Sequence, residues 1–366
     1  MKVLSLIDSF KGTISSKDLG RIMTKILRRK NIDAYYMPIS DGGEGLLDVI
    51  CHIKNTKKVY CNAIDPLGRK IKTYYLYNKK ENTAYIEMAK SSGLMLIEKE
   101  KQNPLIANTY GLGLLIYNAI KKGIKHIIIG IGGSATNDVG VGMLNALGVK
   151  FYNHESNIMK EVNNNTLKQI KTIDLNIFNE TIKNINFTVL SDVQNPLLGE
   201  NGATYTYAKQ KGAKEEELPI LESNIKYFAD LVKARLNIDD INFPGGGAAG
   251  GVGFAFKVFF NPDFKSGINY ILDEIDFDNS SYDILITGEG KIDNQTMQGK
   301  VISGILSRVK NKEIILVCGI NELKNEKNIP KIYSIVDEIS TIEYSLKYPI
   351  KAYKKLCEKV SNDIIK

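Results

Sequence analysis

The sequence predicts an α/β protein of two domains: a parallel-sheet domain built from both ends of the chain, and a second α/β domain, containing a mixed sheet, inserted between them. Three observations carry this expectation. Strand-like and helix-like runs alternate at the start, the same theme returns near the C-terminus, and between them a turn signal flanked by β-rich segments marks a change of architecture. A chain of 366 residues also exceeds what one hydrophobic core normally supports.

Lys2 to Ile7 is a short β-rich apolar run. Leu19, Ile22, Met23, Ile26 and Leu27 then recur at helical spacing behind Ser15 and Asp18, a capping-box pair. A second strand over Ala34 to Met37 leads into Asp41-Gly42-Gly43-Glu44-Gly45 and another helical run. Asp65-Pro66-Leu67-Gly68-Arg69 is a turn between Lys58–Ile64 and Ile71–Tyr77, which reads as a hairpin. At the far end Ile284-Leu285-Ile286-Thr287 precedes Gly288-Glu289-Gly290, and Ile314 to Val317 follows a helix-like stretch. These elements place a Rossmann-like domain at 1–62 plus 270–366 and the inserted domain at 63–269. The asparagine-rich segment Asn153 to Asn186 is expected at the surface.

Composition narrows the function. A hydrophobic fraction of 43% and a charged fraction of 25% are those of a soluble globular chain. No apolar run approaches the ~20 residues of a membrane span, and the apolar run before Asp8 is too short for a signal peptide, so a cytoplasmic location is expected. The net charge of +8 comes from scattered lysines without a long basic run, which points away from nucleic acid and toward anionic metabolites. Cys51, Cys61, Cys318 and Cys357 match neither a disulfide framework nor a zinc spacing, so reduced structural thiols are expected. His52, His126 and His154 stand away from every glycine motif, leaving the chemistry to carboxylates, lysines and backbone dipoles.

Two glycine loops suggest phosphate. Lys125 to Ile129 followed by Gly130-x-Gly132-x-x-Ala135 fits a dinucleotide fingerprint, with Glu155 about 20 residues on as a ribose-binding acid. The rival reading is therefore an NAD-dependent hydroxy-acid dehydrogenase that uses Gly130 to Ala135. Against it, Asn137 and Asp138 are expected in the first helical turn, where an aspartate repels a bare pyrophosphate unless a divalent cation intervenes. A metal-nucleotide phosphate fits better. The second loop, Pro244 to Gly253, lacks bulky side chains and precedes the apolar run Phe254 to Phe259. A Walker A loop is absent, because Gly299-Lys300 is followed by Val301. Asp8, Asp41, Glu44, Asp192, Glu289 and Asp293 each follow a predicted strand, where open α/β sheets place their ligands. Mg²⁺ takes one or two carboxylates together with phosphate oxygens, and Lys11 is the cation best placed beside them.

Several blocks in order resemble the type I glycerate kinases over nearly the whole chain. They are Asp8-Ser9-Phe10-Lys11-Gly12, Asp41 to Gly45, Gly130 to Asp138, Asp192-Val193-Gln194-Asn195-Pro196-Leu197, Gln210-Lys211-Gly212-Ala213, Pro244 to Gly253, and Thr287 to Asp293 with Gln295-Thr296. Departures are Ile7 for a proline, Ser40 for an alanine, Val139 for a glycine and Lys209 for a proline. The resemblance implies ATP- and Mg²⁺-dependent phosphorylation of D-glycerate, most often to 2-phosphoglycerate, in a cleft between two α/β domains. The identity of the acceptor comes from the family alone. Position after strands then assigns expected roles. Asp192 orients or deprotonates the hydroxyl, with Lys11 as a second catalytic group. Ser9, Lys11, Asp8, Asp41 and Glu44 meet the substrate, and Asp41, Asp293 and Glu289 hold the metal. Gly132, Gly133, Ser134, Asn137, Gly245, Gly246, Gly247 and Gly250 meet the nucleotide. The oligomeric state is left open, with a homodimer among the options.

Overall fold

The structure is a computed structural model that describes residues 1–293, 301–323 and 330–365. Gln295, Thr296 and the Gly299-Lys300 pair lie outside the described residues. The chain divides into two compact units, Met1–Lys54 with Ser266–Lys366, and Asn55–Lys265. In chain order the first segment contributes β1 (Lys2–Ile7) and β2 (Asp33–Tyr36). The inserted segment contributes β3 (Lys57–Ile64), β4 (Lys70–Asn78), β5 (Thr83–Glu87), β6 (His126–Gly130), β7 (Lys150–Tyr152), β8 (Thr172–Asp174), β9 (Asn186–Leu190) and β10 (Asp263–Lys265). The last segment adds β11 (Ile284–Ile292), β12 (Glu313–Asn321) and β13 (Lys331–Ser334).

The first unit is an all-parallel sheet in the order β13-β12-β11-β1-β2. Val3, Leu4, Leu6 and Ile7 are all buried, as a central strand covered on both faces requires. The helix Ser16–Arg29 starts at the expected cap: Ser15 Oγ accepts from Asp18 N at 3.1 Å and donates to the Asp18 carboxylate at 2.8 Å. It packs Leu19, Met23 and Leu27 against β1 and against Tyr353, Leu356 and Val360 of the C-terminal helix Pro349–Ile365. Because β1 lies between β2 and β11, the direction of sheet growth reverses there. That is the point at which open parallel sheets bind ligands beyond their strand ends.

The inserted unit holds a mixed sheet in the order β10-β9-β6-β5-β4-β3, parallel from β5 to β10 and antiparallel from β3 to β5. The predicted hairpin is β3–β4, closed by the Asp65 carboxylate, which accepts from Leu67 N and Arg69 N at 2.9 Å. Since β3 begins at Lys57, this unit starts before the residue 63 expected from the sequence. The asparagine-rich segment departs further from expectation. Asn164, Leu167, Ile170 and Phe178 are buried, because the segment folds back over the core with the short β7–β8 ribbon. Among the described residues no helix is long and apolar enough to cross a membrane. All four cysteines are free thiols, three of them buried.

Candidate active site

In the parallel-sheet unit Asp8, Ser9 and Lys11, which follow β1, line one cavity of about 340 Å³ with Glu289 and Lys291, which lie within the end of β11 and not after it as the sequence suggested. The turn after β1 is built by its own sequence. Phe10 is buried against Tyr353, the Phe10 and Ile14 backbones bond to each other, and Gly12 takes a left-handed φ of 74°. Anchoring Phe10 leaves Lys11 exposed at the tip and Asp8 buried at the base. Ser16 Oγ joins the floor by donating to Ile7 O at 2.6 Å and accepting from Ile39 N at 2.8 Å. Burial, and next the charge of Asp41, push the Asp8 carboxyl up to about 8; Glu289 adds to this, while Ser9 N–H and Lys11 oppose it.

The other expected acceptor and metal residues are placed less uniformly. Asp41 accepts from Gly43 N at 2.9 Å, and its carbonyl lies so near Gly267 that a Cβ there would come within 2.0 Å. Glu44 is exposed, and only its backbone carbonyl takes part in the turn, accepting from Ser40 Oγ at 3.3 Å. Asp293 lies 3.5 Å from Lys291 Nζ, which also pairs with Glu322 at 2.8 Å. Among the described residues no three acidic, histidine or cysteine groups converge to hold an ion by themselves. Asp41, Asp293 and Glu289 therefore do not form a closed protein cage. Mg²⁺ does not require one, since phosphate oxygens and water complete its shell. The crowding of Asp41 and Glu289 on a buried Asp8 suits such a cation.

In the inserted unit, three loops meet beyond the ends of β6 and β9. The loop after β6 carries Gly132, half-buried, and Gly133, exposed with φ of 73°. Its backbone bonds run from Leu94 N to Gly133 O and from Ala135 N to Ser92 O, both 2.9 Å, which leaves the amides of Gly132, Gly133 and Ser134 without a backbone acceptor among the described residues. The hydroxyls of Ser91, Ser92 and Thr136 around it are buried without a hydrogen-bond partner among the described residues. Consecutive amides without a backbone acceptor beside orphaned hydroxyls are the kind of donor set that an anion satisfies. Asp192 lies half-buried just after β9, in the loop that leads to Asn195 and Pro196.

The second glycine loop is packed closely against backbone. Gly246, Gly247 and Gly250 are buried. A Cβ on Gly247 would come within 2.2 Å of Pro196 O, and one on Gly250 within 2.0 Å of Thr136 O. These glycines let backbones touch, and Gly245, at φ of 84°, makes the turn that starts them. They pack the glycine loop tightly against the β6 loop and the Asp192 loop. Asn137 is likewise scaffold, fully buried with Nδ2 on Thr204 Oγ1 at 3.2 Å.

Asp138 is not in a first helical turn either, because the helix begins only at Val141. Its buried carboxylate accepts from Thr109 N and Oγ1 at 2.8 Å, Gly142 N at 3.1 Å and Gly140 N at 3.3 Å. Burial raises its pKa and these donors lower it. The dinucleotide fingerprint fails on the same geometry. No helix directly follows the glycines, and Glu155 is exposed in the turn after β7 instead of ending a neighbouring parallel strand.

Sequence reasoning missed two supports of this loop. Lys211, 3% exposed, donates to Ser134 Oγ at 2.8 Å and Thr136 O at 2.7 Å. Asn164 donates to Asn137 O at 2.8 Å and accepts from Asn224 Nδ2 at 3.0 Å. Lys211 stood in a quoted block without a role, and Asn164 in a stretch whose polarity suggested solvent.

An open amide turn on one sheet and a carboxylate-lined cavity at the switch point of another are the equipment of phosphate chemistry on a small anionic acceptor, which is the work of a phosphotransferase. The model of the glycerate kinase family matches residues 3–365. A glycerate kinase of Bacillus cereus is 37% identical over 95% of this chain and 93% of its own length. A glycerate 2-kinase of Escherichia coli K12 is 34% identical over 99% and 97%. A solved Salmonella typhimurium LT2 protein that carries the name glycerate kinase 2 superposes with a TM-score of 0.79 at 31% identity, covering 100% of this chain and 98% of that one. The chain belongs to the glycerate kinase family and is an enzyme, a kinase.

Proposed function

We propose that the chain transfers the γ-phosphoryl group of ATP, with Mg²⁺, to the 2-hydroxyl of D-glycerate, giving 2-phosphoglycerate. The observation that carries the reading is the cavity lined by the buried Asp8 together with Ser9, Lys11 and Glu289. Such a cluster suits a divalent cation and an anionic acceptor, and the name of the Escherichia coli relative supports the 2-hydroxyl.

Phosphoryl transfer asks a protein for positioning and charge stabilisation more than for covalent chemistry. Ser9 and Lys11 bind the glycerate carboxylate, and Lys11 offsets charge that develops in the transition state. Asp192 orients the acceptor hydroxyl and takes its proton. The amides of Gly132 and Gly133, with Ser134, bind nucleotide phosphate oxygens. Asp41 and Glu289, with Asp293, hold Mg²⁺, which when bound neutralises phosphate charge. Val139, buried at a left-handed φ of 48°, marks the strained exit from the phosphate loop where a glycine would relax.

Phosphorus NMR of the product formed from ATP, Mg²⁺ and D-glycerate tests the reading, with L-glycerate as control. A 2-phosphoglycerate resonance is expected. A 3-phosphoglycerate signal overturns the hydroxyl assignment, and ATP consumption indifferent to glycerate overturns the acceptor.

A further inference from the structure

Lys211 is held in place by backbone geometry before it touches anything polar. It ends the short turn Lys209–Lys211, and Gly212 follows in a left-handed conformation, φ of 97°, where a Cβ would come within 2.2 Å of Gln102 O. The turn is thereby pinned and the lysine side chain enters the interior. Two of its three ammonium protons are committed, one to Ser134 Oγ and one to Thr136 O. Asp138 attracts it, but that carboxylate already accepts from Thr109, Gly140 and Gly142 and makes no hydrogen bond to the ammonium. An ammonium buried in this way is costly unless charge compensates it.

The direction of the Ser134 bond carries the next step. Because Ser134 Oγ accepts from the ammonium, its own O–H hydrogen is turned elsewhere. Ser134 continues the run of amides, Gly132 to Ser134, that lacks a backbone acceptor among the described residues. A phosphate seated on those amides supplies the acceptor that the hydroxyl lacks and the negative charge that the lysine lacks.

We propose that Lys211 is the positioning cation of this phosphate loop: it fixes Ser134 as a hydrogen-bond donor to a nucleotide phosphate and supplies buried positive charge behind it. The inference rests on the kinase reading above for the identity of the phosphate.

Calorimetric titration of MgATP into the wild-type protein, Lys211→Met, Ser134→Ala and the double variant tests it without turnover. Each single change is expected to weaken MgATP about 10-fold or more, in the range of a lost charge-assisted hydrogen bond. The double variant is expected to lie within about 2-fold of the weaker single one, because the two side chains act in series. The KM for glycerate should stay unchanged in Ser134→Ala, which a general loss of structure would not spare. Wild-type affinity in Ser134→Ala overturns the proposal even if Lys211→Met fails to fold, and fully additive losses overturn the coupling. If the wild-type protein binds neither MgATP nor pyrophosphate, the kinase reading fails and this inference falls with it. If it binds them and the variants bind equally well, only the inference fails.

Discussion

Asp8 in the parallel-sheet unit and Lys211 in the inserted unit are both buried, and burial moves them in opposite directions. The carboxyl goes up to about 8 and the ammonium down to about 7. The folded chain therefore holds a proton on Asp8 that the unfolded chain releases near 3.8, so this contribution to stability is full below that pH and lost as pH rises toward 8. At Lys211 the unfolded chain keeps the extra proton up to about 10.5, so stability rises as pH climbs from about 7 through that window. The contrast shows that each unit buries one ionisable group whose charge the fold alone leaves poorly compensated, which in the proposed reading is the place for a cation beside Asp8 and for a phosphate beside Lys211.

The comparison breaks most visibly at Asp192, the group proposed to meet the reacting hydroxyl. Asp192→Asn is expected to lower kcat by about 10² to 10⁴-fold, the range of general base catalysis, with an unchanged circular dichroism spectrum. Near wild-type turnover removes Asp192 from the mechanism. Asp8→Asn separates function from stability. Turnover should fall by about 10²-fold, whereas the melting temperature at pH 8 should rise relative to wild type and the gain should shrink at pH 5, since an amide carries no charge to bury. A melting temperature that falls at both pH values would show that Asp8 is held by contacts instead of crowded by charge.

Smaller effects sharpen the scaffold side. Gly250→Ala puts a methyl against Thr136 O and forces a left-handed alanine, and should cost about 2 to 4 kcal/mol in urea unfolding. Because Gly250 carries the β6 loop, MgATP affinity should drop as well. A stable variant with normal affinity would mean that the loop tolerates displacement. Lys11→Met should raise the KM for glycerate by about 10-fold and lower kcat, since the charge contact is proposed in both ground and transition states, and leave the KM for ATP alone.

Much of this was legible in the sequence where chemistry is local. The Ser15 cap, the β3–β4 hairpin and the carboxylates at the ends of β1 and β11 are written within a few residues of one another, and capping and turn rules read them. The Gly245–Gly250 loop was located correctly, yet its glycines meet backbone. Sequence cannot tell a glycine that opens room for a ligand from one that opens room for Thr136 O or Pro196 O. Asp138 misled for a related reason. Its nearness to the glycines in sequence suggested nearness to phosphate, whereas Thr109, from another loop, draws the carboxylate inward. Lys211 reaches Ser134 across 77 positions, a contact that only the fold creates.

The proposal that Ser9 binds the acceptor carboxylate and Ser134 a nucleotide phosphate is tested most directly by steady-state kinetics on Ser9→Ala and Ser134→Ala, assayed with ATP, Mg²⁺ and D-glycerate and with EDTA as a blank. The account predicts a raised KM for glycerate alone in Ser9→Ala and a raised KM for ATP alone in Ser134→Ala. The reverse pattern, or equal changes in both constants for both variants, would contradict it.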